Sequence, residues 1–172
     1  MDSHACIRAS AYVYEGALGD NIDTDRIIPG KYTKTLDISL LASHVMEDLD
    51  PEFRYRFIPG SILVAGDNFG CGSSREQAPI ALKAAGVSVI IARYFARIFF
   101  RNAINIGLPV LEVPHHAIAH GAILEVHLRE GTVTDISAGV VYKATRMPKV
   151  MVDILAEGGL VPYLQKYGDY VL

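Results

Sequence analysis

The sequence predicts a mixed α/β domain, and three observations carry that expectation. Between Ile62 and Val113, short apolar runs alternate with helical patterns, the rhythm of a parallel sheet built from strand–helix–strand units. After His120 the character changes to short β-rich runs separated by turns. The 172 residues are enough for one domain that buries about 70% of its unfolded surface, and no linker, repeat or low-complexity tract divides them. Residues 1–172 are therefore expected to form a single domain.

The elements follow in order. Cys6–Tyr14 alternates well enough to be a strand, and Gly19 leads into a polar loop around Asp23, Thr24 and Asp25. Pro29 and Gly30 mark the loop before a helix over Ile38–Met46, which Asp37 can cap. Ile62–Ala65 reads as a buried strand, Ser74–Ala85 as an amphipathic helix, and Val87–Ala92 as the next strand. Tyr94–Ile106 reads as a second helix closed by Gly107, followed by a strand at Val110–Val113. Strands are expected at Ile123–Leu128, Val133–Ile136 and Val140–Ala144, with a Glu130-Gly131 turn between the first two. Pro148 opens a final helix whose Val150, Met151, Ile154 and Leu155 share one face, and Gly158-Gly159 end it.

Charge and composition exclude several classes of partner. A net charge of −3 and a pI near 6.0 give no electrostatic reason to expect nucleic acid or an anionic membrane. The apolar stretches near Ala84–Ala92 and Phe95–Phe100 are interrupted by Arg93, Arg97 and Arg101, so no membrane span is expected. The first residues lack the charged-then-apolar pattern of a signal peptide. The only cysteines, Cys6 and Cys71, form neither a disulfide framework nor a CxxC pair, and the expectation is a reduced, cytoplasmic protein.

The segment Val64-Ala-Gly-Asp-Asn-Phe-Gly-Cys-Gly-Ser-Ser-Arg-Glu-Gln77 is the place to look for chemistry. Gly66, Gly70 and Gly72 let the backbone turn tightly and approach a ligand. On this reading Ser73, Ser74 and Arg75 sit at the first turn of the following helix, where unpaired N–H groups favour a carboxylate or phosphate. Ser73 with Glu76, and Ser74 with Gln77, each fit a capping box. Either both serines serve only as caps, or Ser74 caps and leaves the Ser73 hydroxyl free in the most positive local potential. Arg75 is either a substrate clamp or a surface arginine paired with an acid one turn away. Asp23 and Asp25, flanking Thr24, suit an Asx-type turn; a Mg²⁺ site would need more ligands than two carboxylates.

Other features take bland readings. Cys71 has no histidine near it in sequence to make it a nucleophile, and the adjacent His115 and His116 do not converge on one ion and read as loop residues. Arg93, Arg97 and Arg101 fall at helical spacing opposite Phe95, Ile98, Phe99 and Ile106, as a solvated stripe or a contact with a partner subunit. A nucleotide-binding module is the alternative from another class, since Gly70-x-Gly72 lies between strand and helix. Arg75 at the third glycine position and Arg93 at the end of the next strand both count against it.

The segment resembles the Gly-Ser-Ser-Arg-Glu motif of the aconitase superfamily, with the closest match to the small subunits of 3-isopropylmalate dehydratase and homoaconitase. Asp23-Thr-Asp-Arg-Ile-Ile-Pro-Gly30, Phe95-Ala-Arg-Ile-Phe-Phe-Arg-Asn-Ala-Ile-Asn105 and Gly107-Leu-Pro109 fit the same family in order and spacing. The resemblance implies a three-layer β/β/α swivelling domain of the aconitase C-terminal type. It implies that Ser73 is the catalytic base, its alkoxide taking the proton next to a substrate carboxylate, and that Arg75 binds that carboxylate. Ser74, Thr24 and Asp25 would line the site, Asp25 orienting or neutralising the arginine. The loop Lys31-Tyr-Thr-Lys-Thr-Leu36 would meet the substrate's variable group, so Thr33 and Lys34 become candidate substrate contacts. Family loops with apolar residues there suit isopropylmalate, and those with an arginine suit the extra carboxylate of homoaconitate; Thr33 and Lys34 match neither pattern.

The implied activity is a hydro-lyase that isomerises 2- and 3-isopropylmalate in leucine biosynthesis, with homoaconitate and 2,3-dimethylmalate as alternative substrates. A regulatory or assembly protein whose serine is idle is the non-catalytic alternative. The family's [4Fe-4S] cluster needs three cysteines, and this chain has two, 65 positions apart. The resemblance therefore places the cluster on a separate large iron–sulfur subunit, which this chain would join as a heterodimer or heterotetramer, binding no cofactor or metal itself.

Overall fold

The computed structural model describes residues 6–171. Among them, strands β1 (Cys6–Val13), β2 (Ile62–Val64), β3 (Val89–Ala92), β4 (Val110–Glu112), β5 (Ile123–His127), β6 (Thr132–Asp135) and β7 (Val140–Lys143) join in the order β4-β3-β2-β1-β5-β6-β7. Strand β1 is the pivot. Its first five residues, Cys6 to Ser10, pair antiparallel with β5, whereas Ala11 to Val13 pair in parallel with β2. One strand shared end to end between two neighbours splits the sheet into a parallel half, β2-β3-β4, and an antiparallel half, β5-β6-β7.

Side-chain alternation turns these halves into layers. Along β2 and β3, Leu63, Ile90 and Ala92 point into one apolar cluster, while Ile62, Val64, Val89 and Ile91 point into another. The second cluster is completed by Leu124, Val126 and Val133, so the antiparallel half folds over one face of the parallel half. Helices cover the other face through Ala78, Leu82, Phe99, Ala103, Ile154 and Leu155. The result is the expected β/β/α stack. It also explains why β2 and β3 are uninterrupted apolar runs: buried on both faces, they have no solvent side to alternate toward.

The helices are α1 (Thr24–Ile27), α2 (Ile38–His44), α3 (Phe53–Arg56), α4 (Gln77–Ala84), α5 (Arg97–Asn105), α6 (Lys149–Ala156) and α7 (Leu160–Tyr167). Asp37 caps α2 as expected, accepting from Leu40 N at 3.1 Å. Two helix starts differ from the sequence reading, and both differences bear on the site. Helix α4 begins at Gln77 rather than Ser74. The reason is Pro79: in a helix starting at Ser74 its ring would collide with the Arg75 carbonyl, whereas in the first turn it is harmless. Neither serine therefore caps α4, whose N-cap is Glu76 without a side-chain bond.

Helix α5 begins at Arg97 rather than Tyr94, because residues 94–96 are extended: Phe69 N donates to Tyr94 O at 3.0 Å and Ala96 N to Phe69 O at 2.9 Å. Arg93 thus lies outside the helix, and Ile98, assigned to the apolar face, is 52% exposed. Short helices α1 and α3, and all of α7, escaped the sequence pattern. Gly158-Gly159 do end α6, but the chain re-enters a helix at once, and Tyr163 of α7 is buried in the core.

Candidate active site

Three segments leave the carboxyl ends of β1, β2 and β3 side by side, the end of a parallel sheet where ligands bind. Backbone bonds continue between them beyond the strands. Gly66 N donates to Gly19 O at 2.8 Å, Gly70 N to Ile22 O at 2.7 Å, and Thr24 N to Cys71 O at 3.0 Å. The glycine-rich loop is thus stitched on one side to residues 19–24 and on the other to residues 94–96. Gly70 adopts φ +79°, and a Cβ there would lie 2.2 Å from the Phe99 ring, so only glycine lets the loop rest on α5.

That stitching presents Ser73. Thr24 is 2% exposed, and its hydroxyl donates to the Ser73 carbonyl at 2.7 Å, which holds the serine backbone in place. The side chains of Ser73 and Ser74 are exposed, and their hydroxyls have no hydrogen-bond partner among the described residues. Both line a cavity of about 340 Å³ together with Thr24, Arg75 and the first turn of α5. The helix end facing this cavity is therefore that of α5, not α4. No side chain caps α5, and helix geometry leaves its first N–H groups without intrahelical partners.

Arg75 is held from two sides. Its Nη2 pairs with Asp25 Oδ1 at 2.5 Å, and Gly30 packs so close that a Cβ there would stand 2.8 Å from Nη1. The arginine is thus part of the cavity wall and paired with an acid at once, although that acid comes from a distant segment rather than from one turn away on the same helix. Asp23 caps α1 by accepting from Arg26 N at 2.8 Å, the Asx-type role expected of it.

The loop carrying Thr33 and Lys34 approaches without entering the cavity. Thr33 donates through Oγ1 to Gly30 O at 2.8 Å, and Gln77 Nε2 donates to Thr33 O at 2.9 Å. This ties the loop to the start of α4 beside Arg75. Lys34 is exposed and makes no ion pair among the described residues. Burial and the Asp23 carboxylate both push the Cys71 thiol up, which keeps it protonated and argues against a thiolate nucleophile. His115 is exposed, whereas His116 bonds to the Ala65 carbonyl at 3.1 Å through Nε2, and its burial pulls its pKa down.

Sequence reasoning missed Arg97 and Asn102, which line the same cavity from α5. The signal was present: both belong to the Phe95–Asn105 block that accompanies the glycine-rich motif. Their proximity to Ser73 depends on the Phe69–Phe95 bridge, which no local pattern announces.

Comparison with known proteins places the chain among relatives of one family. Residues 22–116 match the family model of the aconitase C-terminal domain, an interval that contains the glycine-rich loop, residues 94–96 and the site residues Thr24, Asp25, Ser73, Ser74 and Arg75. The chain is 54% identical over 152 residues to 3-isopropylmalate dehydratase small subunit 2 of Archaeoglobus fulgidus, covering 88% of this chain and 92% of that protein. It is 51% identical over 148 residues to the 2,3-dimethylmalate dehydratase small subunit of Eubacterium barkeri, covering 85% and 91%. A crystal structure of 3-isopropylmalate dehydratase (leuD) from Methanocaldococcus jannaschii superposes with a TM-score of 0.87 at 43% identity, covering 95% of both chains.

Proposed function

Because the chain belongs to the aconitase C-terminal domain family, we propose that it is the small subunit of a 3-isopropylmalate dehydratase, a hydro-lyase that moves a hydroxyl between neighbouring carbons by dehydration and rehydration. The observation that carries this reading is one cavity holding an unpartnered Ser73 hydroxyl, the Arg75 guanidinium and the uncapped end of α5.

A serine hydroxyl is far too weak an acid to ionise near neutrality, so its alkoxide requires N–H donors and a nearby cation. Arg75 offers a planar fork to a substrate carboxylate, and Asp25 and Gly30 fix the plane of that fork. With the carboxylate so held, the acidic C–H beside it faces Ser73 Oγ, which takes the proton in dehydration and returns it in rehydration. Thr24 sets the position of Ser73, while Ser74 and the α5 N–H groups offer further donors to the substrate.

An iron–sulfur cluster supplies Lewis-acid activation of hydroxyl and carboxylate in such enzymes. The residues of this chain do not fit one: Cys71 lies on the glycine-rich loop, and Cys6 sits at the opposite end of β1. The cluster therefore belongs to a large subunit, with which this chain acts. No described helix is long and apolar enough to cross a membrane.

The purified chain should be colourless and inactive, and mixing it with an anaerobically prepared iron–sulfur partner should create dehydratase activity. Turnover by the isolated chain would overturn the division of labour. The Eubacterium barkeri relative makes 2,3-dimethylmalate the second substrate to test, and kcat/KM ratios on the assembled enzyme decide between them. Exposed Lys34 would serve homoaconitate only by pairing its third carboxylate; loss of homocitrate turnover in Lys34→Ala, with isopropylmalate turnover kept, would reveal that role.

A further inference from the structure

At the far end of β1 from the catalytic loops, the register places Cys6 directly opposite His127 and Arg8 opposite Glu125. The inward neighbours Ile7, Ala9, Leu124 and Val126 pack into the core, so period-two alternation sends Cys6, Glu125 and His127 to the outer face together. Cys6 Sγ lies 3.9 Å from His127 Nε2, which lies 2.8 Å from Glu125 Oε1, and all three ligand atoms fall within 4.8 Å of one another. We propose that Cys6, Glu125 and His127 form a binding site for one divalent transition-metal ion of the Zn²⁺ type, which staples the amino-terminal end of β1 to β5.

The donor set selects the ion. One thiolate, one imidazole and one carboxylate suit borderline-soft Zn²⁺ or Co²⁺, and hard Mg²⁺ or Ca²⁺ would prefer oxygen alone. Geometry is close to what a tetrahedral ion needs: metal–ligand bonds of about 2.0–2.3 Å put ligand atoms roughly 3.3–3.6 Å apart. Sulfur and nitrogen stand near that separation already, and the carboxylate has to swing out by about 0.5 Å, with the ion replacing its bond to His127. Solvent exposure leaves the fourth position to water. The negative charges of Glu125 and Glu130 around the Cys6 thiol outweigh the opposing charge of Arg8, a field that favours a cation there. Binding displaces the thiol proton, so affinity rises with pH.

The ligands come from strands 119 or more positions apart in sequence, and the three meet only when β1 and β5 pair. An ion held there binds the folded chain and not the unfolded one, so it adds stability without touching the catalytic loops.

The test uses the full chain under a phosphine reductant, stripped with chelator and desalted. Co²⁺ titration should give one equivalent with a thiolate-to-cobalt charge-transfer band. Zn²⁺ at a hundredfold excess over its Kd should raise the melting temperature by roughly 5–10 °C. Cys6→Ser should abolish the band and the Zn²⁺-dependent shift while melting normally without metal, and Glu125→Gln should weaken binding by about tenfold or more. Absence of a charge-transfer band in the wild type, or binding that survives both Cys6→Ser and His127→Ala, would overturn the proposal and leave Glu125–His127 as a surface hydrogen bond.

Discussion

The two halves of the sheet share β1 and one inner core, yet they are built for different work. In the parallel half every strand ends in a loop that bonds to its neighbours, and these loops carry Thr24, Ser73, Ser74 and Arg75. In the antiparallel half, tight turns join β5, β6 and β7, and Leu124, Val126 and Val133 cover the far face of β2 and β3. The candidate site lies where parallel strands end, because crossover connections leave long loops there, whereas the hairpins of the antiparallel half have only tight turns. The antiparallel layer acts on the site only by keeping β2 and β3 dry and fixed.

Substitutions in each half should separate these contributions. The largest effect is expected from Ser73→Ala in the assembled enzyme, which should lower kcat by on the order of 10²–10⁴-fold while the melting temperature stays put. Ser74→Ala should also melt normally, because α4 starts three residues beyond it; early melting would restore the capping role. On the other side, Leu124→Ala opens a cavity in the fully buried inter-sheet core and should cost about 2–5 kcal/mol of stability. Steady-state kinetics on the fraction that folds should find kcat unchanged, and a loss of kcat beyond the loss of folded protein would break the division between halves.

Thr24→Val sharpens the comparison, because the residue is buried like a core position but works like a site position. It leaves the Ser73 carbonyl without its donor, at about 1–3 kcal/mol, and should reduce kcat as the serine drifts. Melting and kinetics together check this: a stability loss with unaltered kcat would make Thr24 merely structural. The smallest expected effect lies at His116, which links the segment after β4 to the end of β2. Its folded-state pKa is lowered, chiefly by burial, so the unfolded chain takes up the proton more readily. Its contribution is fully present above the unfolded value of about 6.5 and is lost as pH falls from there through the folded value. Melting curves between pH 5 and 8 should show this acid-side loss, and His116→Asn should flatten it.

Local patterns alone were enough to locate the strands and most helices. Ile62–Val64 and Val89–Ala92 could hardly be anything but buried strands, Asp37 announced α2, and Gly107 announced the end of α5. The glycine-rich motif marked the candidate loop because glycines at a strand end let the backbone approach a ligand, although its serines could equally have been helix caps. Where the reading failed, a single residue or a distant bond decided the outcome. Pro79 moved the start of α4 past both serines, a steric fact visible in sequence once the helix is counted from its carbonyls. The displaced start of α5, by contrast, follows from the pairing of residue 69 with residues 94–96, and it alone brings Arg97 and an open helix end to Ser73. The meeting of Arg75 with Asp25 across 50 positions, and of Cys6 with His127 across 121, is likewise a matter of register. Propensity, period and turn chemistry act within a few residues, so the sequence could say which segments were strands and helices and which loop to examine for a site. Which side chains face one another depends on how separate segments pair and stack, and only the tertiary structure settles that.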